Sequence, residues 1–400
     1  MMNENPPFTS PHDALAALLN RITAAPTDTL PADHAAGRIL AETISTDRPS
    51  PAVSVSAMDG FAARLADVQS HSLLPIAGEV RIGREPAAMP GSPCVIRIVT
   101  GGAVPMRADL VIKREDVTEQ AGGITIAPAA AARLKRGENI RFAGENAPGG
   151  KPIAEPGTLI SPALAGALAT VGRVHVRVHQ PLTIAIISTG DELVDVHEQP
   201  TPWQLRDSNG PALAAMFAGR PWVAKVAAHR VEDDERSIDR AVQTAVEQAD
   251  AILLTGGVSA GHRDFVPGAL ARAGIETVFH KLPQRPGRPV LAAVTADGRP
   301  VLALPGNPVS VLVTARRLAL PAIMRRAGLT CIPTPTMVRV VNADDRAIPL
   351  WWHRPVRLTG DGDATLIDMR SSGDIVGVAM SDGFVELPPQ QSGPGPWPHY

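Results

Sequence analysis

The segment KLPQRPGRP, Lys281 to Pro289, sets Lys281, Arg285 and Arg288 within eight residues and separates them with prolines. Proline restricts the unfolded chain, so such a loop presents its cations at small ordering cost, which suits a fixed tetrahedral oxyanion or phosphate. In isolation a solvated charged turn would read the same way. Ser310 follows Arg288 by 22 residues, in the string LPGNPVS (Leu304 to Ser310) between an apolar strand and a helical run. Gly306 permits close backbone approach, Asn307 tolerates a left-handed turn, and Ser310 offers a hydroxyl and neighbouring amides to an anion. Alone this is an ordinary strand-to-helix turn with a serine cap; beside the cationic loop, an oxyanion pocket is the better reading.

Two further strand-end turns carry acids and glycines. TGDEL places Asp191 and Glu192 after the strand LTIAIIS. Adjacent carboxylates there can hold Mg²⁺ through water while the Thr189 hydroxyl contacts phosphate, or they can simply complement a helix dipole. TGGVSAGHRDF supplies Gly256, Gly257 and Ser259 for a backbone cradle and Asp264 as another acid. SAMDG, Ser56 to Gly60, offers Asp59 as an exposed carboxylate or as a turn former. GENIRFAGENAPGG adds Arg141 and Glu145 in a glycine-flanked loop. Histidines are dispersed, and no Ser/His/Asp or HExxH arrangement occurs, so hydrolytic triads and structural zinc are poorly supported.

The elements that must position these residues follow from periodicity. Residues 11 to about 25 space Leu15, Leu18, Leu19 and Ile22 at helical intervals, and a second short helix is expected from Ala32 to Leu40. From Asp47 to about Gly150, short β-type runs such as CVIRIVT and DLVIKRED are broken by glycine and proline. A small-residue helix and the alternation Val174, Val176, Val178 follow, a piece able to pair with the N-terminal segment. From Pro181 to about Gly328, apolar strands alternate with helices, the pattern of a parallel, doubly wound sheet. Ligands of such sheets sit at the carboxyl ends of the strands, where the three glycine-bearing turns fall. Beyond Cys331 the runs MVRVV, HRPVRLT, ATLIDM and GFVELP suit a small barrel or sandwich, with QSGPGPWPHY as a flexible tail.

The chain has 400 residues, 44% hydrophobic and 20% charged, which calls for several folded domains. Its formal charge of -2 supplies no global field for nucleic acid or an anionic membrane, and aromatics at 3% argue against base stacking. Cys94 and Cys331 form no metal-spaced cluster and read as buried thiols in a reducing compartment. Without a signal-type apolar stretch or a run of about 18 apolar residues, a cytoplasmic location is expected.

Taken together, SAMDGFA, TGGAVPMRADLVIKRED, GENIRFAGEN, STGDELV, RDSNGPAL, TGGVSAGHRDF, RPGRP and LPGNPVS resemble, in order and spacing, the molybdopterin molybdenumtransferase (MoeA) family, which includes the catalytic domain of gephyrin. The resemblance implies an α/β and β multidomain fold. Residues 1–46 with 149–180 would form an elongated discontinuous domain, 47–148 a β-rich insertion, 181–329 a MogA/MoaB-like α/β domain and 330–400 a β-barrel-like domain. It implies a homodimer whose cleft lies between the α/β domain of one subunit and the insertion of the other. The implied reaction inserts molybdenum from molybdate into adenylylated molybdopterin, with Mg²⁺, and releases AMP. Other cofactor-synthesis proteins and recipient molybdoenzymes are the implied partners. By the same likeness Arg285, Arg288, Ser310 and Arg354 would grip molybdate, and Asp59, Glu192, Asp233 and Asp264 would act at the pyrophosphate, Asp59 and Glu192 as metal ligands. Lys281, Thr189, Gly256, Gly257 and Ser259 complete the expected binding residues. The chain departs from the family in Asn146, where GED is usual, in RPGRP for KPGKP, and in His262, where many relatives carry an acid. These departures keep open a second reading, a pterin-binding paralogue with little or no turnover. A CinA-type nucleotide enzyme sharing the α/β module is a third, and the end-to-end motif match argues against it.

Overall fold

In a computed structural model, which describes residues 8–258 and 264–400, the chain forms two compact units. One comprises Met1–Glu42, Glu155–Gly166 and Val174–Tyr400; the other comprises Thr43–Ala154 and Ala167–Arg173.

The first unit opens with α1 (Pro11–Leu19), shorter than its apolar spacing suggested, capped by the Ser10 side chain accepting from the Asp13 amide. The expected helix over Ala32–Leu40 is absent: only a 3₁₀ turn forms at Ala32–His34, with Ile39 and Leu40 in β-bridges. Ala-Asp-His-Ala-Ala-Gly has no apolar stripe to bury, and Gly37 turns the chain at φ +76°. The expected N-terminal pairing is present: β1 (Thr27–Pro31) runs antiparallel to β2 (His175–His179).

The α/β part follows as β3 (Leu182–Thr189), α2 (Asn209–Phe217), β4 (Val223–Val231), α3 (Glu235–Gln248), β5 (Ala251–Thr255), α4 (Val266–Arg272), β6 (Glu276–His280), β7 (Gln284–Arg285), β8 (Leu291–Val294), β9 (Pro300–Leu304) and α5 (Pro308–Thr314). A π turn, Ala315–Ala319, joins α5 to α6 (Leu320–Arg326). The sheet order is β4-β3-β5-β9-β8-β6. Strands β4, β3, β5 and β9 are parallel as expected, but β8 runs against them and pairs antiparallel with both β9 and the edge strand β6. The turn around Asp297 and Gly298 is too short for the crossover that a parallel neighbour needs. Along β3, Leu182, Ile184 and Ile186 enter one core with α1 and α5, while Ala185 and Ile187 enter another beneath α3 and α4. Burial on both faces explains why that strand reads as a continuous apolar run.

β10 (Thr336–Val340), β11 (Trp351–Leu358), β12 (Asp363–Leu366), β13 (Gly383–Leu387) and β14 (Trp397–His399) close into a five-stranded barrel in the order β11-β12-β10-β14-β13-β11. The expected flexible tail is therefore wrong. Trp397–His399 pairs with β10 and β13, and Tyr400 stacks on Phe384 with ring centroids 5.7 Å apart. The glycine-proline composition masked two aromatic side chains with a surface to cover.

In the second unit, Ile76–Glu79, Val95–Ile98, Gly60–Ala63 and Leu110–Lys113 make a four-stranded sheet in that spatial order. A Cβ on Gly60 would lie 1.9 Å from the Ile112 carbonyl oxygen, so the glycine of SAMDG is demanded by strand approach. Among the described residues no helix is long and apolar enough to cross a membrane.

Candidate functional site

The strand-end turns interlock through backbone. The Gly256 amide donates to the Leu304 carbonyl at 3.2 Å, and a Cβ on Gly256 would meet the Thr189 carbonyl oxygen at 2.6 Å. A Cβ on Gly306 would stand 3.8 Å from the Gly256 Cα. Asn209 Nδ2 donates to the Gly306 carbonyl at 2.8 Å, tying the start of α2 to LPGN. Asp207 fixes that helix start, its Oδ1 accepting from the amides of Asn209 and Gly210. Four turns, STGDEL, RDSNG, TGGV and LPGN, thus meet at the carboxyl ends of β3, β5 and β9.

Ser310 is buried in the first turn of α5, and its carbonyl accepts from Thr314 Oγ1 at 2.7 Å. Asn307 is extended at φ -66°, ψ 126°, so the left-handed turn considered for it does not form. Its Nδ2 donates to Ser372 Oγ at 2.9 Å, and the Val309 amide donates to the Ser372 carbonyl. Against this turn lies the cationic loop. A Cβ on Gly287, at φ +90°, would sit 2.5 Å from Thr314 Cγ2 and 3.7 Å from the Ser310 carbonyl oxygen. Only glycine lets the loop rest on the helix so closely. Gln284 is buried and donates from Nε2 to the Gly287 carbonyl at 3.0 Å, shaping the loop from inside. Lys281 holds φ +72°, its amide donating to the Val290 carbonyl.

Arg285 and Arg288 are exposed, and among the described residues neither guanidinium has a hydrogen-bond or ion-pair partner. Arg354 is different: it makes a two-pronged ion pair with Asp344, both contacts at 2.8 Å, and stacks 4.4 Å over the Trp352 ring. Those hydrogen bonds, with the Arg354 charge, hold the Asp344 carboxyl below its ordinary value. Asp344 takes two of the five Arg354 N–H donors and offsets its charge, so any pull on an oxyanion is weaker than that of Arg285 or Arg288. The family resemblance groups Arg354 with Arg285 and Arg288; the structure leaves those two unpaired and pairs Arg354 with Asp344.

Among the acids, Glu192 is exposed, and Asp191 Oδ1 accepts from the Asp233 amide at 3.1 Å. Gly190, Asp191, Glu232, Asp233 and Asp234 line a cavity of about 730 Å³ with Arg230 and Phe265. Thr189 is buried with its hydroxyl donating to the Thr255 carbonyl at 3.3 Å, so phosphate contact would require it to turn. Asp264 begins the described chain after the TGGV turn, whereas Ser259 and His262 lie outside the described residues. Asp59 belongs to the second unit. Its Oδ1 accepts from the Thr100 amide at 2.7 Å and the Thr100 hydroxyl at 2.8 Å. These bonds, led by the amide, and the charge of Arg114 keep its carboxyl below the usual range, hence ionised. Arg141 donates to Asn146 Oδ1, whose Nδ2 donates to Ser50 Oγ at 3.3 Å. Oxygen donors suit a hard cation such as Mg²⁺, yet among the described residues no three carboxylate or imidazole groups converge as a metal site.

Gln284, Asn209 and Ser372 were missed as site residues. RDSNG and the buried glutamine stand beside motifs in the sequence, but a positioning amide has no composition signal. Ser372 reaches the turn from 65 residues away.

Known proteins match over the same stretches. Residues 9–172 match the family described as "MoeA N-terminal region (domain I and II)", and residues 185–325 match "Probable molybdopterin binding domain". A protein of Synechococcus elongatus named molybdopterin molybdenumtransferase is 32% identical over 88% of this chain and 88% of its own length. One of the same name from Haemophilus influenzae is 33% identical over 76% of this chain and 73% of its own. The crystal structure of a molybdopterin biosynthesis MoeA protein from Pyrococcus horikoshii superposes with a TM-score of 0.76 at 26% identity, covering 98% of this chain and 97% of that one.

Proposed function

Because this chain belongs to the MoeA family of molybdopterin molybdenumtransferases, we propose that it is a transferase of molybdenum cofactor biosynthesis, inserting molybdenum from molybdate into adenylylated molybdopterin with release of AMP. The carrying observation is the packing of the cationic loop on the Ser310 turn, with Gly287 against Thr314 and two uncommitted guanidiniums beside it. Two exposed planar cations on a stiff loop suit a tetrahedral dianion, which accepts several charge-assisted hydrogen bonds at once. The interlocked glycine turns suit the phosphates of the pterin substrate, whose charge is met by backbone amides rather than by long side chains.

In this reading Arg285 and Arg288 bind and orient molybdate, with Lys281 at the edge of the loop and Ser310 setting its floor. The Gly256–Gly257 turn supplies backbone amides to the substrate phosphates, its missing side chains making room for Thr189 and Val266. Asp59, Glu192, Asp233 and Asp264 are the candidate acids at the pyrophosphate. Magnesium, when bound, would neutralise charge developing on the departing phosphate. The described residues do not assemble a set of three ligands for it. A homodimer and a cytoplasmic location belong to the same reading. Light scattering tests the first and fractionation the second.

The departures at Asn146 and in RPGRP favour a specific second reading, a pterin-binding protein without turnover. Incubation with adenylylated molybdopterin, Mg²⁺ and molybdate separates the two. Molybdate-dependent AMP release supports the transferase; tight pterin binding with no AMP at any molybdate concentration supports the carrier.

A further inference from the structure

The barrel contains a buried ionic cluster that the reaction does not use. Arg317, in the π turn after α5, donates from Nε to Glu386 Oε2 at 2.6 Å and from Nη2 to Oε1 at 3.3 Å. His353 Nε2 lies 2.9 Å from the same Oε2 and, facing an ionised carboxylate, is the donor. All three residues are buried, with side-chain exposures of 3%, 5% and 0% for Arg317, Glu386 and His353. Burial alone would raise the Glu386 carboxyl; the His353 hydrogen bond and the Arg317 charge overcome it and lower it to about 2. Arg317 also lies 4.7 Å over the Tyr400 ring, and His353 meets Phe384 edge to face.

The two ends of this cluster lead to the two halves of the oxyanion pocket. Arg317 stands three residues beyond Thr314, which touches Gly287 and holds the Ser310 carbonyl. His353 sits on β11, directly beside Trp351 and Trp352, which pair in parallel with Gln284 and Arg285 of the cationic loop. The Trp351 amide donates to the Pro283 carbonyl at 2.9 Å. Serine helix, ion cluster, barrel strand and cationic loop therefore form a closed ring of contacts.

We propose that Arg317, Glu386 and His353 are positioning residues that brace the Arg285–Arg288 loop against the Ser310 helix and so set the width of the oxyanion pocket. The proposal rests on the transferase reading for the identity of the anion, but the brace itself does not. A buried ion cluster contributes little net stability relative to packed apolar residues, whereas losing one partner leaves a charge uncompensated. Its value here is directional: an ionic fork fixes the angle between helix and strand, where apolar packing tolerates sliding. The π turn serves the same end, because a helix with one residue too many turns Arg317 toward the barrel.

Two variants test this, Glu386→Gln and the apolar triple Arg317→Met, His353→Leu, Glu386→Leu; the triple guards against simple unfolding of the first. Hydrogen exchange is measured over residues 281–290, with β3 as the internal reference, and molybdate binding is titrated by calorimetry. The brace predicts exchange at least about tenfold faster in the loop, unchanged exchange in β3, and about tenfold weaker molybdate binding in a triple variant that melts no lower than wild type. Loop exchange equal to wild type in the folded triple variant overturns the proposal, as does faster exchange with molybdate affinity intact. If wild-type protein binds no molybdate while the loop exchange difference stands, the oxyanion reading fails and the brace is upheld.

Discussion

The strand-end turns of the α/β part and the Asp59 region of the second unit both carry motif residues, but they are built on opposite principles. At the strand ends the chemistry is backbone: Gly256 has no room for a Cβ, Gly306 is held by Asn209, and Gly287 lies on Thr314. In the second unit the motif groups are exposed side chains, Asp59 against Thr100 and Arg141 against Asn146. A site made of backbone approach is rigid and tolerates few substitutions. A site made of exposed side chains depends on what faces it, and its residues can change while the fold stands.

The largest effect should expose that contrast directly. Gly256 and Gly101 both hold positive φ, +92° and +80°, but a Cβ at Gly101 meets nothing within 4 Å. Gly256→Ala should cost about 3 to 5 kcal/mol from strain and clash together, whereas Gly101→Ala should cost about 1 kcal/mol from backbone strain alone. Native-state hydrogen exchange in Ala251–Thr255 and in Leu110–Lys113, respectively, reads the two costs. Equal penalties would mean that the turns are not interlocked.

Acid sharpens the comparison within the first unit. Glu386 titrates at about 2 when folded against an ordinary 4.5. A folded value below the unfolded one means that the stabilisation is present in full above pH 4.5 and is lost as pH falls toward 2. From that shift the loss is about 3 kcal/mol. Between pH 6 and pH 3, still above the folded value, roughly 2 kcal/mol of it should go, read by urea unfolding of the first unit, and the apolar triple variant should lose less over the same interval. An identical pH dependence in both proteins would contradict the coupling.

How much of this the sequence revealed follows the same division. Burial on both faces made β3 legible as an apolar run, and strand, turn, helix periodicity placed Ser310 and Gly256 on strand ends. Proximity of RPGRP to LPGNPVS is legible as well, and Gly287 does lie against Thr314. The reversed β8 is not, since strand direction depends on connection length rather than on the run itself. Tyr400 and Trp397 read as a tail because their partners, Phe384 and β10, are distant in sequence. Arg354 joins Arg285 and Arg288 only by family resemblance, and a motif match does not show that Asp344 pairs with it.

The smallest effect is expected at Asn146. Its contacts to Arg141 and Ser50 can both be remade by a carboxylate, so Asn146→Asp should change stability by under about 0.5 kcal/mol. Under the transferase reading, AMP release should stay within about threefold of wild type. Turnover that appears only in the variant would favour the pterin-binding alternative.

Whether the cationic loop and the Ser310 turn form one oxyanion site is decided by the molybdate dependence of AMP release in an Arg285→Ala, Arg288→Ala double variant, with thermal melting in parallel. Each guanidinium should contribute about 1.5 to 3 kcal/mol to anion binding, a roughly tenfold to hundredfold rise in the molybdate requirement per arginine. Melting should hardly move, since both side chains are exposed and uncommitted. A well-folded double variant with an unchanged molybdate requirement would show the loop to be a solvated surface and would contradict the account.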